Sequence, residues 1–115
     1  FNFVTDTAAG FLAMAATDKT IGQEINIATQ QEISIGDLAA ELIRQINPAA
    51  RIVCREARLR PEKSEVERLL GCADKIRSLT DWTPKHDLAA GLAETIAWFK
   101  RPEHLARYKS ELYNI

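Results

Sequence analysis

Apolar residues recur along this chain in two periods, and the switches between them divide it into elements. Phe1, Phe3 and Val4 open it as a short apolar run, read as a strand. Thr5 and Asp6 follow, with side-chain oxygens suited to accept the free N–H groups at a helix start. Behind them Ala8, Phe11, Leu12, Ala15 and Ala16 recur at the i, i+3, i+4 spacing, which predicts a helix with that stripe buried. DKTIGQ reads as a turn. Ile25 and Ile27 alternate in EINIAT, which predicts a second strand.

The next helix announces its own start. Ser34 and Asp37 have the S-x-x-D spacing of a capping box, and Leu38, Leu42, Ile43 and Ile46 line one face behind it. Asn47-Pro48 ends it. ARIVCRE predicts a third strand, with Ile52 and Cys54 on one side and Val53 on the other. Pro61 disfavours helix at Arg60. Ser64, with Glu67 three residues on, begins a short helix carrying Val66, Leu69 and Leu70, and Asp74 caps another, KIRSL. DWTP turns the chain into DLAAGLAETIAWF, the plainest helix, with Leu88, Leu92, Ile96 and Phe99 as its stripe. Pro102 breaks it, and EHLARYKSELYNI predicts a last amphipathic helix. The order is β-α-β-α-β-α-α-α-α, an α/β unit rich in helix. Three short strands leave edges that need a neighbour. Together with the abrupt start on Phe1, this predicts a piece of a longer protein.

Composition narrows the picture. With 115 residues the chain makes one small domain with a core of its own, so residues 1–115 are read as a single unit. A net charge of −1 argues against a broadly basic surface for nucleic acid. The longest small-apolar run, 8–16, is too short to span a bilayer. FNFVTD lacks the basic start of a secretory signal. Cys54 and Cys72 show neither CxxC spacing nor a histidine pair, which argues against a disulfide framework or zinc site and fits a reducing cytoplasm.

Most catalytic signatures are missing. Glycines 10, 22, 36, 71 and 91 form neither a dinucleotide fingerprint nor a P-loop, and neither tyrosine has a lysine four residues on. His86 and His104 read as surface histidines, Ser34 and Ser64 as caps, Cys54 as a buried strand residue and Cys72 as an inert thiol near a helix start. RLRPEKSEVERLLG, 58–71, has two readings. One is a solvated helix face with i, i+3 pairs such as Glu65–Arg68. In the other, Pro61 holds Arg60 on a stiff extended turn, where its planar fork is aimed at a phosphate or base edge. Glu65 nearby then accepts from ribose hydroxyls or base N–H groups. A nucleic-acid surface built on Arg51, Arg55, Arg58 and Arg60 is opposed by the interleaved glutamates.

FNFVTDTAAGFLAMA, INIATQQEISIGDLA, RPEKSEVERL and DWTPKHDLAAGLAETIAWF, in this order, resemble the C-terminal end of extended short-chain dehydrogenase/reductases, the NAD-dependent sugar-nucleotide epimerases and dehydratases. The RP-x-x-SEV-x-RL run and the tail YKSELYNI look most like nucleotide-diphospho-N-acetylglucosamine 4,6-dehydratases. The resemblance implies the small, helix-rich substrate-binding lobe of a Rossmann-type α/β fold, with short strands and its Rossmann core outside this chain. It implies a nucleotide-diphospho-sugar as ligand, with Arg60 on the nucleotide or diphosphate, Glu65 on the ribose or base, and Arg58 as a further phosphate contact. It also implies NAD(P) in the parent protein, where the glycine-rich loop and the Tyr-x-x-x-Lys catalytic pair would lie. This chain is then expected to bind no cofactor and to be inactive alone. Cys72 and Asp81 depart from the family pattern, which usually has an acidic residue and a glycine there. The same lobe of a 4-epimerase is the near alternative, and a self-standing α/β binding module the distant one. Without the Rossmann partner, the chain is expected to self-associate or exchange strands.

Overall fold

The computed structural model describes residues 1–53 and 68–108. Where a strand is expected at the start, the chain turns almost at once into a helix. α1 spans Val4–Ala15 and follows an extended Phe3, whose carbonyl accepts from the Thr7 N–H at 3.1 Å. No side chain caps it, so Thr5 and Asp6 do not play the capping part expected of them. A single 3₁₀ turn, Asp18–Thr20, comes next. α2 is Ile35–Ile46, α3 is Asp74–Leu79, α4 is Leu88–Phe99 and α5 is Pro102–Leu105.

The α/β expectation is overturned, because the described residues contain no strand. The reason lies in how the extended segments are held. Residues 1–3 and 27–29 lie side by side, but side chains make the link. Asn2 Nδ2 donates to the Ile27 carbonyl at 2.7 Å, and Thr29 Oγ1 donates to the Phe1 carbonyl at 3.3 Å. A strand requires a ladder of backbone N–H to carbonyl bonds, and none forms here. The alternation in EINIAT is still used. Ile25, Ile27 and Ala28 pack against the core from an extended segment without sheet partners. Of ARIVCRE, residues 51–53 belong to no element and Ile52 and Val53 are exposed; Cys54 lies outside the described residues.

Local signals fared better. DKTIGQ turns as expected. The Gln23 N–H donates to the Thr20 carbonyl at 3.1 Å, Ile21 sits at φ −61°, ψ 128°, and Gly22 at φ +70°. That is a type II turn, whose third residue needs positive φ and therefore favours glycine. Ser34 caps α2 and Asp87 caps α4, each accepting from an N–H three residues on. Asp74 proves to be the first residue of α3, not its cap, and its carboxylate turns to Gln30 instead.

The core is small. Ala73, Ile76 and Trp82 are buried, with Ala13, Met14, Ile25, Ile27 and Ala28 packed around them. α4 buries Gly91 and Ile96, packs against α2 and α5, and half-buries Leu88, Leu92 and Phe99, so its expected stripe faces inward. α1 does the reverse. Its covered face is Asp6, Gly10, Ala13 and Met14, while the expected stripe is bare: Phe11 is 62% and Leu12 73% exposed. Among the described residues, no helix is long and apolar enough to cross a membrane.

Candidate functional site

The extended residues Phe1, Asn2 and Phe3 form one wall of a groove of about 360 Å³ between α2 and α4. Leu38 and Leu42 of α2 face Leu88 and Leu92 of α4 across it, and Glu32 and His86 mark its polar rim. Phe3 fits closely because α4 has a glycine opposite it. A Cβ on Gly91 would stand 3.3 Å from the Phe3 side chain.

The polar end of the groove rests on Asp6, which is only 3% exposed. Its carbonyl accepts from the Trp82 indole N–H at 2.9 Å. Its carboxylate accepts from the His86 backbone N–H at 2.9 Å and lies 3.1 Å from His86 Nδ1. The imidazole's other nitrogen is 3.2 Å from Glu94 Oε1, and its ring lies 4.4 Å from that of Phe3. Burial by itself raises the Asp6 carboxyl, but hydrogen bonds from the backbone N–H and ring of His86 outweigh it and hold Asp6 below its ordinary value. His86 is raised in turn, chiefly by its bond to Asp6. The surface reading of His86 is therefore corrected: its side chain is 21% exposed and bonded at both nitrogens. No spacing motif joins two residues 80 positions apart. The one sequence signal was a carboxylate set among the apolar residues of α1. His104 is partly exposed, stacked 3.9 Å from the Trp98 ring with Nδ1 2.9 Å from the Trp98 carbonyl oxygen.

A second polar group lies beside the groove, in a neighbouring hollow that shares Glu32 with it. Arg68 donates through Nε and Nη2 to the two oxygens of Glu32 at 2.7 and 2.6 Å, and this bidentate hydrogen bonding holds Glu32 below the usual carboxylate value. Gln30 adopts φ +58°, a left-handed conformation that costs a residue with a Cβ about 1 kcal/mol. Its amide is engaged on both sides, donating to Asp74 Oδ1 at 2.8 Å and accepting from Arg77 Nη1.

Arg58, Arg60 and Glu65, the residues singled out by the sequence, lie outside the described residues. Arg68, near the end of the same stretch, is described, and it lines a separate hollow that shares Phe1, Gln31, Glu32 and Ile33 with the groove. Cys72 is an exposed free thiol just before α3. Among the described residues, no group of three or more His, Cys, Asp or Glu side chains is arranged to hold a metal ion. Gly10, Gly71 and Gly91 lie against the Ile27, Ala28 and Phe3 side chains, Gly36 is in the first turn of α2, and Gly22 completes a tight turn. Comparison with protein-family models, with curated proteins and with solved structures found no match to this chain.

Proposed function

We propose that this chain is the nucleotide-sugar-binding lobe of a larger NAD(P)-dependent enzyme of the 4,6-dehydratase kind, inactive by itself and acting in a reducing cytoplasm. The observation that carries the proposal is the two-sidedness of α1. VTDTAAGFLAMA is apolar nearly all round, and among the described residues only one of its faces is covered. Val4, Phe11 and Leu12 stand bare on the other. A helix apolar all round belongs in the interior of a larger body. This supports a lobe that seats against a further unit, as the four motifs of the resemblance imply. NAD(P) and the catalytic tyrosine are assigned to that unit, because the glycines here make no phosphate loop.

In this reading 58–71 supplies the anion-binding wall. Arg60 holds the nucleotide or diphosphate with its fork, Arg58 adds phosphate contact, and Glu65 accepts from the ribose or base. The apolar groove, which shares Glu32 with the hollow at Arg68, is then the neighbouring surface along which a sugar-nucleotide lies. The test is an NMR titration of the chain with GDP, UDP and their N-acetylglucosamine conjugates. The backbone amides of Arg60 and Glu65 are expected to shift with one base and to stay still in Arg60→Ala. Flat titrations with all four ligands would reject nucleotide binding by this stretch.

A further inference from the structure

Asp6, His86 and Glu94 come from three separate places, α1, the turn before α4, and α4 itself, and meet at the polar end of the groove. The two carboxylates differ in what they can do. Asp6 is buried, with its backbone carbonyl held by the Trp82 indole and its carboxylate by the His86 backbone N–H. Glu94 is 59% exposed and has water within reach. A neutral imidazole carries one N–H, so it donates to one carboxylate and turns a lone pair towards the other. Only the imidazolium donates to both. Asp6, at 3% exposed, has little water to replace the ring, whereas Glu94 has water at hand, so Asp6 keeps the Nδ1 hydrogen and Glu94 is the contact that depends on the second proton.

We propose that Asp6, His86 and Glu94 form a proton-operated clasp on the groove wall. Protonation of His86 ties the turn to α4 through Glu94, and loss of that proton frees Glu94 while Asp6 retains the ring. The tie matters to the groove because the His86 ring packs on Phe3, and Phe3 packs on Gly91 one turn before Glu94. The charged groups facing the imidazole are Asp6 from α1 and Glu94 from α4; Asp87, next in sequence, is turned to the Ala90 N–H as the α4 cap. The geometry and the titration directions agree. His86 is raised from 6.5, so its contribution is full below that value and is lost as pH rises through the higher folded one. Asp6 is lowered from 3.8, so its contribution is full above that value and is lost as pH falls through the lower one. The charged Asp6–His86 pair therefore occupies a window bounded by acid on the Asp6 side and by neutral-to-basic pH on the His86 side, and the Glu94 tie is released as pH rises through that second boundary.

The experiment is an NMR pH titration of the His86 ring in the 115-residue chain and in Glu94→Gln, a substitution at an exposed position that leaves the core untouched. In the wild type the midpoint is expected above 6.5, with the amides of Gly91 and Thr95 following the same midpoint. Glu94→Gln is expected to lower the midpoint by a few tenths of a unit, the size of an exposed ion pair, and to uncouple those amides. A second variant, Asp6→Asn, is expected to lower it further, because the larger cause is removed. The clasp is overturned by a wild-type midpoint at or below the ordinary imidazole value, by a midpoint that Glu94→Gln leaves unmoved, or by α4 amides that ignore the titration.

Discussion

Gly10 shows how closely the covered face of α1 is fitted. A Cβ there would stand 2.9 Å from Ile27 Cδ1 and 3.0 Å from Ile27 Cγ2, so the helix lies directly on the isoleucine that the extended segment offers it. Gly10→Val is expected to lower stability by about 1–3 kcal/mol, the usual cost of overpacking a filled site. Urea unfolding checks it: the midpoint falls while the slope is unchanged. An unchanged midpoint would mean that Ile27 gives way without cost. The same residue explains a misreading. By period alone, Gly10 is a gap in the stripe of Phe11 and Leu12. In the fold it is the contact, since a helix rich in alanine and glycine approaches its neighbour through its smallest side chains. Asp6 and His86 were hidden for another reason. Each is ordinary in its own neighbourhood, and their meaning comes only from a meeting across 80 residues.

At the scale of elements, what was legible is what local chemistry decides. Ser34 Oγ accepts from the Asp37 N–H at 3.0 Å and donates to Asp37 Oδ2 at 2.7 Å, so the S-x-x-D spacing located the start of α2. Asn47 follows Ile46 as its C-cap, at the position the Asn-Pro pair marks. Ser34→Ala is expected to cost about 1 kcal/mol and to raise hydrogen exchange in the first turn of α2, the amides of Asp37 and Leu38 above all. Thr5→Ala makes the contrast: Thr5 caps nothing in α1, and its loss leaves exchange there unchanged. A Ser34→Ala chain with wild-type exchange would show that the cap contributes nothing. The strands were not legible for a complementary reason. Alternation says that a segment has two unlike sides, not that a second backbone lies beside it. Ile25 and Ile27 satisfy their alternation by packing on the core around Ala73, Ile76 and Trp82, with Asn2 and Thr29 side chains in place of a ladder. The residues expected to bind a nucleotide, Arg58, Arg60 and Glu65, lie outside the described residues, and their reading rests on the sequence pattern.

For the whole molecule, the balance of covered and bare apolar surface decides behaviour in solution. Among the described residues the buried core is a handful of side chains, whereas Val4, Phe11 and Leu12 on α1 and Ile21 just beyond it all stand open to water. Charge does little to oppose contact between copies, because α1 carries only the buried Asp6 and the net charge is −1. Exposed apolar faces of this kind mark surfaces that meet another molecule. The isolated chain is therefore expected to associate as its concentration rises, with light scattering giving a weight-average mass that climbs above 12.9 kDa. Leu12→Glu places a charge on the bare face, where the side chain is already 73% exposed. It should return the chain to a monomer while leaving its circular dichroism unchanged. A wild-type chain that stays monomeric throughout would show that this face does not drive contact. The bare face of α1 would then no longer support a lobe seated on a larger body, while nucleotide binding at 58–71 would still be decided by its own titration.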